Sequence, residues 1–172
     1  MKSAAQIFTQ PYHSPCGEMV LGDYAGKLCL CDWANGKHRR RNDQRIQHFF
    51  NARYVCGSTP LLQATAKELD AWFAGAIVRF NLPLAMAGTP FQQRVWNALL
   101  ATPYGQTTSY TDVARAAGCS NGVRAVAQAI GANSICIIVP CHRVIGLDGT
   151  LTGFAAGVST KRFLLRIEGV DV

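Results

Sequence analysis

The chain is short of acid. Ten Asp and Glu stand against 17 Lys and Arg in 172 residues, a formal net charge of +7 at pH 7. That balance makes a polyanion the natural partner, nucleic acid before membrane. Apolar runs of about 18 residues are missing, so no membrane-spanning helix is expected, and Met1 to Gly17 lacks the cationic start and hydrophobic block of a signal peptide. The seven cysteines (Cys16, Cys29, Cys31, Cys56, Cys119, Cys136, Cys141) are odd in number and irregularly spaced. A disulfide framework is thereby excluded and a reducing, cytoplasmic location expected. Internal repeats and low-complexity tracts are also absent. Hydrophobic residues at 49% with charged residues at 16% describe a globular chain, long enough for one domain or two small ones.

Turn and cap signals divide it. Met19 to Asp23 and Lys27 to Trp33 read as a hairpin across Tyr24-Ala25-Gly26 and begin a small sheet. Cys29-x-Cys31 would point both sulfurs to one face of its strand. His38 or His48 could complete a metal site there, but no second paired motif accompanies it, and small buried cysteines are the simpler account. The basic segment Gly36 to Asp43 reads as a solvated loop, with a nucleic-acid contact as the alternative. Thr59-Pro60 caps and opens a helix that runs through Ala74 and stops at Gly75. Asn81 to Gly88 is a connector, giving an N-terminal domain over 1–87 and a C-terminal domain over 88–172. Thr89-Pro90-Phe91-Gln92 then supplies a capping box for a helix with Phe91, Val95, Trp96, Leu99 and Leu100 on one face.

The most informative stretch is Ile137-Ile138-Val139-Pro140-Cys141-His142-Arg143-Val144. The apolar run from Ile135 to Val139 predicts a buried strand, which Pro140 ends because it cannot donate to a ladder. Cys141 would stand at the strand end, followed by two polar side chains and by Gly146, Gly149 and Gly153 in what reads as a mobile loop. A thiol is mostly protonated near neutrality until cationic or hydrogen-bonding neighbours favour the thiolate, and His142 and Arg143 are the local candidates. A buried, inert cysteine is the plain alternative.

Upstream, Ser109 and Asp112 cap a short helix that Gly118 terminates. A second helix spans about Asn121 to Ala132, rich in small residues and carrying Arg124 near its start. The pair reads either as an ordinary helical hairpin or as a helix-turn-helix, whose second helix lies along DNA. With the net charge and the downstream cysteine, the combination points to thiol chemistry on DNA.

Pro140-Cys141-His142-Arg143-Val144, Ser109-Tyr110, Val123-Arg124-Ala125-Val126, Asn133 and Glu168-Gly169, in this order, resemble the O6-alkylguanine-DNA alkyltransferases. The resemblance is close from about Gly88 to Gly169. It is looser in the first half, where Ser14-Pro15 and Gly17 lead into the hairpin. It implies an α+β fold: a small N-terminal mixed sheet with a helix, ribonuclease-H-like, and a C-terminal helical domain with a helix-turn-helix. The implied activity is single-turnover transfer of an alkyl group from guanine O6 in duplex DNA, and from thymine O4, to Cys141 after nucleotide flipping.

Further roles follow from the same likeness. His142 would take the Cys141 proton through a water, Glu168 would orient the imidazole, Asn133 would brace the loop and Tyr110 would donate to the departing base. Pro140, Val144, Phe154, Ala155 and Ala156 would line the substrate pocket, Val144 and Cys141 through their carbonyls. Thr111, Asn121, Gly122, Val123 and Ala125 would meet DNA beside Arg124, which would fill the gap left by the flipped base. No cofactor is implied. Some relatives bind zinc in the N-terminal domain, but the cysteines and histidines here do not reproduce those ligands, so no metal is expected. The partner is duplex DNA containing O6-alkylguanine, not a membrane, and the protein is expected to be a monomer, with cooperative binding along DNA allowed. Phe154-Ala155-Ala156-Gly157 departs from the family's Tyr-Ser-Gly-Gly or Tyr-Ala-Gly-Gly, and Ala156 would narrow the pocket entrance against bulky adducts. Two rivals remain: a sensor that binds the lesion without repairing it, and a cysteine hydrolase, which adjacent residues on an extended segment would strain to form.

Overall fold

The computed structural model describes residues 4–172, so Met1 to Ser3 of the segment read as lacking a signal peptide lie outside it. The chain divides into two compact units, the first ending at Gly88 and the second comprising Thr89–Val172. No helix among the described residues is long and apolar enough to cross a membrane.

The first unit is built on a four-stranded mixed sheet of order β3-β2-β1-β4. Its strands are β1 (Ala5–Ser14), β2 (Gly17–Tyr24), β3 (Lys27–Trp33) and β4 (Ala52–Cys56). β1 pairs antiparallel with β2, β2 antiparallel with β3, and β1 parallel with β4. Ile7 and Tyr12 lie an odd number of residues apart on β1 and so project from opposite faces. Ile7 packs with Ile46 of α1 (Arg39–Phe50), whereas the Tyr12 hydroxyl donates to Asp70 of α2 (Pro60–Phe73) at 2.7 Å. The two helices therefore cover opposite sides of the sheet.

The hairpin and the Thr59-capped helix form as expected: Thr59 Oγ1 accepts from Leu62 N at 3.2 Å. Two expectations are corrected. The basic segment is not a loop throughout, because α1 begins at Arg39 and buries Asn42 and Ile46, one turn apart, against the unit. Asn81 to Gly88 is more than a connector. Leu28 N donates to Pro83 O at 2.8 Å and Ala85 N to Leu28 O at 2.9 Å, which covers the outer edge of β3. Strands β1 and β4, which the sequence did not announce, complete the sheet. Cys29 and Cys31 are wholly buried in β3, and burial first of all pushes both thiols up, Cys29 to about 12. At neutral pH they are protonated side chains of the core. No group of three metal-ligating side chains forms among the described residues.

The second unit packs α3 (Pro90–Leu100), α4 (Tyr110–Ala116) and α5 (Val123–Gly131) together. The capping box is complete: Thr89 Oγ1 accepts from Gln92 N and the Gln92 side chain accepts from Thr89 N. Trp96 Nε1 donates to Ala129 O at 2.8 Å and locks α3 to α5. Ser109 caps α4, accepting from Asp112 N at 3.1 Å, and Gly118 takes the left-handed conformation (φ 74°) that ends the turn after it. α5 begins two residues later than expected, with Gly122 at its N-cap.

Two two-residue strands, β5 (Thr108–Ser109) and β6 (Val144–Ile145), pair in parallel, Thr108 opposite Val144 and Ser109 opposite Ile145. This small sheet sets the start of α4, and with it Tyr110, beside the exit of the Cys141 segment. The last helix, α6 (Val158–Ile167), packs on that segment.

Replacing Ser109 by Ala removes the α4 cap and is expected to destabilise the protein by about 1 kcal/mol, measured as a lower urea midpoint with unchanged slope.

Candidate active site

The apolar run before Cys141 is not a strand. Ile135 to Val139 form a tight buried turn in which Val139 N donates to Ile135 O at 2.9 Å and Ile137 is held at φ 71°. A run of this length cannot be told from a strand by periodicity, and the turn exists because Asn133 replaces the hydrogen bonds a sheet would provide. Its Nδ2 donates to Val139 O at 2.9 Å and its Oδ1 accepts from Ile135 N at 3.0 Å. A β-branched residue in the left-handed region is strained by about 1–2 kcal/mol, so Asn133 holds a conformation the chain would otherwise leave. Pro140 then makes a tight turn (φ −83°, ψ 65°), with Cys141 N donating to Val139 O at 2.8 Å. Cys141 opens a single turn of 3-10 helix, Cys141–Arg143.

Within that turn the three side chains diverge. Cys141, 6% exposed, lines a pocket of about 60 Å³, room for several water molecules. Tyr110 of α4, Ile130 and Gly131 of α5, and Cys136 form its other walls, with Phe154 and Ala155 from the β6–α6 loop. Asn133 also reaches it. His142 and Arg143 turn instead to Glu168, whose side chain is fully buried.

His142 Nε2 lies 2.9 Å from Glu168 Oε1; Arg143 Nε and Nη2 donate to the same carboxylate at 2.9 and 2.7 Å, and Gly105 N approaches Oε2 at 3.3 Å. Arg143 Nη1 donates to Thr102 O at 2.6 Å. Burial by itself would raise the Glu168 carboxyl, but hydrogen bonds from His142 and Arg143 outweigh it and hold the group at about 2. Burial lowers His142 below its ordinary 6.5 despite that carboxylate, so the ring is neutral at neutral pH. Facing an ionised carboxylate, Nε2 carries the proton, and Nδ1 is left as the basic nitrogen.

Arg143, a candidate cation for the thiol, is thus engaged elsewhere. The buried cation whose charge couples to Cys141 is Lys161 of α6, 1% exposed. Desolvation lowers its ammonium to about 8, and a negative charge on Cys141 would act in the opposite direction. Lys161 was legible in principle, because it falls on the same face of α6 as the buried Leu164 and Leu165.

Of the other expected positions, Pro140 and Val144 are buried and do not line the pocket, nor does Ala156. Arg124, Ala125 and Asn121 are exposed at the start of α5, with Gly122, Val123 and Thr111 half-buried nearby. Cys136, Ile130 and Gly131, which no motif singled out, do line the pocket.

The family model described as 6-O-methylguanine DNA methyltransferase, DNA binding domain, matches residues 90–170. The chain is 39% identical over 164 residues to the constitutive methylated-DNA–protein-cysteine methyltransferase of Bacillus subtilis, covering 92% of this chain and 93% of that protein. It is 50% identical over 160 residues to the methylated-DNA–protein-cysteine methyltransferase of Methanosarcina acetivorans, covering 92% and 96%. Among solved structures, Mycobacterium tuberculosis OGT in complex with DNA matches with a TM-score of 0.79 at 37% identity, over 94% of this chain and 92% of that one.

Two variants probe the buried framework. Asn133→Ala strands the buried Ile135 N–H and leaves the Val139 carbonyl with Cys141 N alone, and is expected to cost about 1–3 kcal/mol in urea unfolding. Glu168→Gln leaves Arg143 buried without its countercharge and is expected to cost about 3 kcal/mol at neutral pH. Because the folded carboxyl sits near 2 against an ordinary 4.5, its contribution is complete above pH 4.5 and fades as pH falls towards 2. The stability gap between wild type and Glu168→Gln should therefore narrow over that window in pH-dependent denaturation.

Proposed function

The chain belongs to the methylated-DNA–protein-cysteine methyltransferase family, and on that premise we propose that it repairs duplex DNA by moving an alkyl group from guanine O6, or thymine O4, onto its own Cys141. The observation that carries this reading is the thiol of Cys141 in the wall of the pocket, directly followed in the same turn by a neutral, carboxylate-anchored histidine. His142 Nδ1 accepts the Cys141 proton through a water, Glu168 keeps the imidazole in the required tautomer, and Lys161 favours the resulting thiolate. The sulfur attacks the alkyl carbon in line; a carbon–sulfur bond forms, the carbon–O6 bond breaks, and the departing guanine takes a proton from Tyr110. The thioether has no hydrolytic exit, so each molecule acts once and is a transferase in stoichiometric use.

Guanine O6 is inaccessible inside a stack, so the nucleotide is flipped into the pocket. Arg124 and Ala125 stand exposed at the start of α5, and the small residues of that helix allow close approach to the minor groove. We read α4 and α5 as a helix-turn-helix with α5 against DNA: Arg124 takes the vacated place, Thr111, Asn121, Gly122 and Val123 meet the backbone, and unstacking is offset by groove and phosphate contacts. Phe154 and Ala155 receive the base, with the Cys141 and Val144 carbonyls accepting from its amine, and Pro140 shapes the turn that presents them. Ala156 restricts bulky adducts. The strand order of the first unit supports a ribonuclease-H-like layer with a structural task. The net charge favours a monomer that finds DNA electrostatically, and seven cysteines without a disulfide suit the cytoplasm.

Incubation with duplex DNA bearing one O6-methylguanine should add a single methyl to Cys141, read by intact mass and peptide mapping. Binding without a mass change would favour the lesion-sensor reading. Cys141→Ser should abolish transfer while DNA binding persists and weakens with salt. Arg124→Ala should slow transfer from duplex DNA on the order of 100-fold, the equivalent of roughly 3 kcal/mol of unpaid unstacking. Its reaction with free O6-alkylguanine base should stay near the wild-type rate, and equal losses on both substrates would remove Arg124 from flipping.

A further inference from the structure

Thr152 belongs to no motif, yet it is fastened at both ends. Its backbone carbonyl accepts a hydrogen bond from Lys161 Nζ at 3.1 Å, and its hydroxyl donates to the Tyr110 phenol oxygen at 3.1 Å. The first contact is deep, because Lys161 is 1% exposed and no carboxylate ion-pairs with it among the described residues. The second lies at the pocket wall that Tyr110 forms. One residue of the β6–α6 loop thus links the buried ammonium that acts on Cys141 to the phenol across the pocket.

The direction of the hydroxyl bond matters. A phenol has one proton to give, and a neighbour that accepted it would take it away from the pocket. Thr152 does the reverse: it donates to the phenol oxygen, which leaves the Tyr110 proton for another acceptor and strengthens it as a donor. When that proton passes to the departing guanine, the phenolate left behind already holds the Thr152 hydrogen bond. An exposed hydroxyl would ordinarily be too mobile to hold this geometry. The Lys161 tether on the carbonyl of the same residue holds its backbone, and branching at Cβ restricts the side-chain torsion.

We infer that Thr152 is a positioning residue for the transfer, aiming the Tyr110 proton at the leaving base while Lys161 anchors it from below. This rests on the role proposed above for Tyr110. Single-turnover transfer from duplex O6-methylguanine should be timed for wild type, Thr152→Val, Thr152→Ser, Tyr110→Phe and the double variant Thr152→Val/Tyr110→Phe. Cys141 alkylation by iodoacetamide serves as a readout of the thiol alone.

Thr152→Val is expected to slow transfer about fivefold to tenfold, the rate equivalent of one hydrogen bond, with the iodoacetamide rate unchanged. Thr152→Ser should restore transfer, and Thr152→Val should cost nothing further when Tyr110 is already Phe. The inference is overturned if Thr152→Val transfers at the wild-type rate, if Ser does not rescue, if the loss is the same in both backgrounds, or if iodoacetamide reactivity falls in step. A Tyr110→Phe protein that transfers normally would remove the phenol's role and this inference together. That pattern is distinct from a silent Thr152→Val beside a slow Tyr110→Phe.

Discussion

A single buried carboxylate organises the second unit. Glu168 receives His142, Arg143 and the amide of Gly105, so two chain segments remote from each other and from Glu168 meet on one pair of oxygens. Taking a charge out of water is costly unless it is paired and hydrogen-bonded, and here every approach to the carboxylate is filled by a donor. The turn carrying Cys141 cannot drift, because the two residues after the cysteine are both held by the group that caps the C-terminus of the last helix.

The apolar side of the same turn is held differently. Ile137 sits at φ 71°, a conformation that would relax if its neighbours let it, and the two Asn133 hydrogen bonds do not. Polar pairing behind Cys141 and an amide brace in front of it leave the thiol as the part of the segment that faces space. The charges add to this. Arg143 and Lys161 are buried cations and Glu168 is the buried anion, leaving a positive excess beneath the pocket that an ionised sulfur would neutralise.

The cap signals were the most legible part of the fold. Thr59-Pro60, Thr89-Pro90-Phe91-Gln92 and Ser109 with Asp112 each begin a helix because a side-chain oxygen satisfies backbone amides that nothing else can. The start of α1 was not legible, since His38 at its N-cap makes no side-chain cap bond and its buried face rests on Asn42 and Ile46 alone. Ile135 to Val139 misled for the opposite reason: strong apolar character indicates burial without saying whether the backbone is extended. Within the site, residues with chemistry, such as Cys141, His142, Tyr110 and Glu168, could be named from motifs. Cys136 and Ile130 could not, because a wall is a property of the closed fold. Lys161 lay between these cases, marked by a charge on the apolar face of α6 but without a partner that sequence could name.

The order in which these groups occur along the polypeptide has a consequence for biosynthesis. The cysteine comes first, and its electrostatic setting, Lys161 and Glu168, follows 20 and 27 residues later, on and just beyond α6. A ribosome therefore releases the turn well before the residues that charge and steady it, and an abortive product ending short of α6 would carry the thiol without its setting. Assembly of the site therefore waits on synthesis of α6 and Glu168, with that helix acting as the arming step.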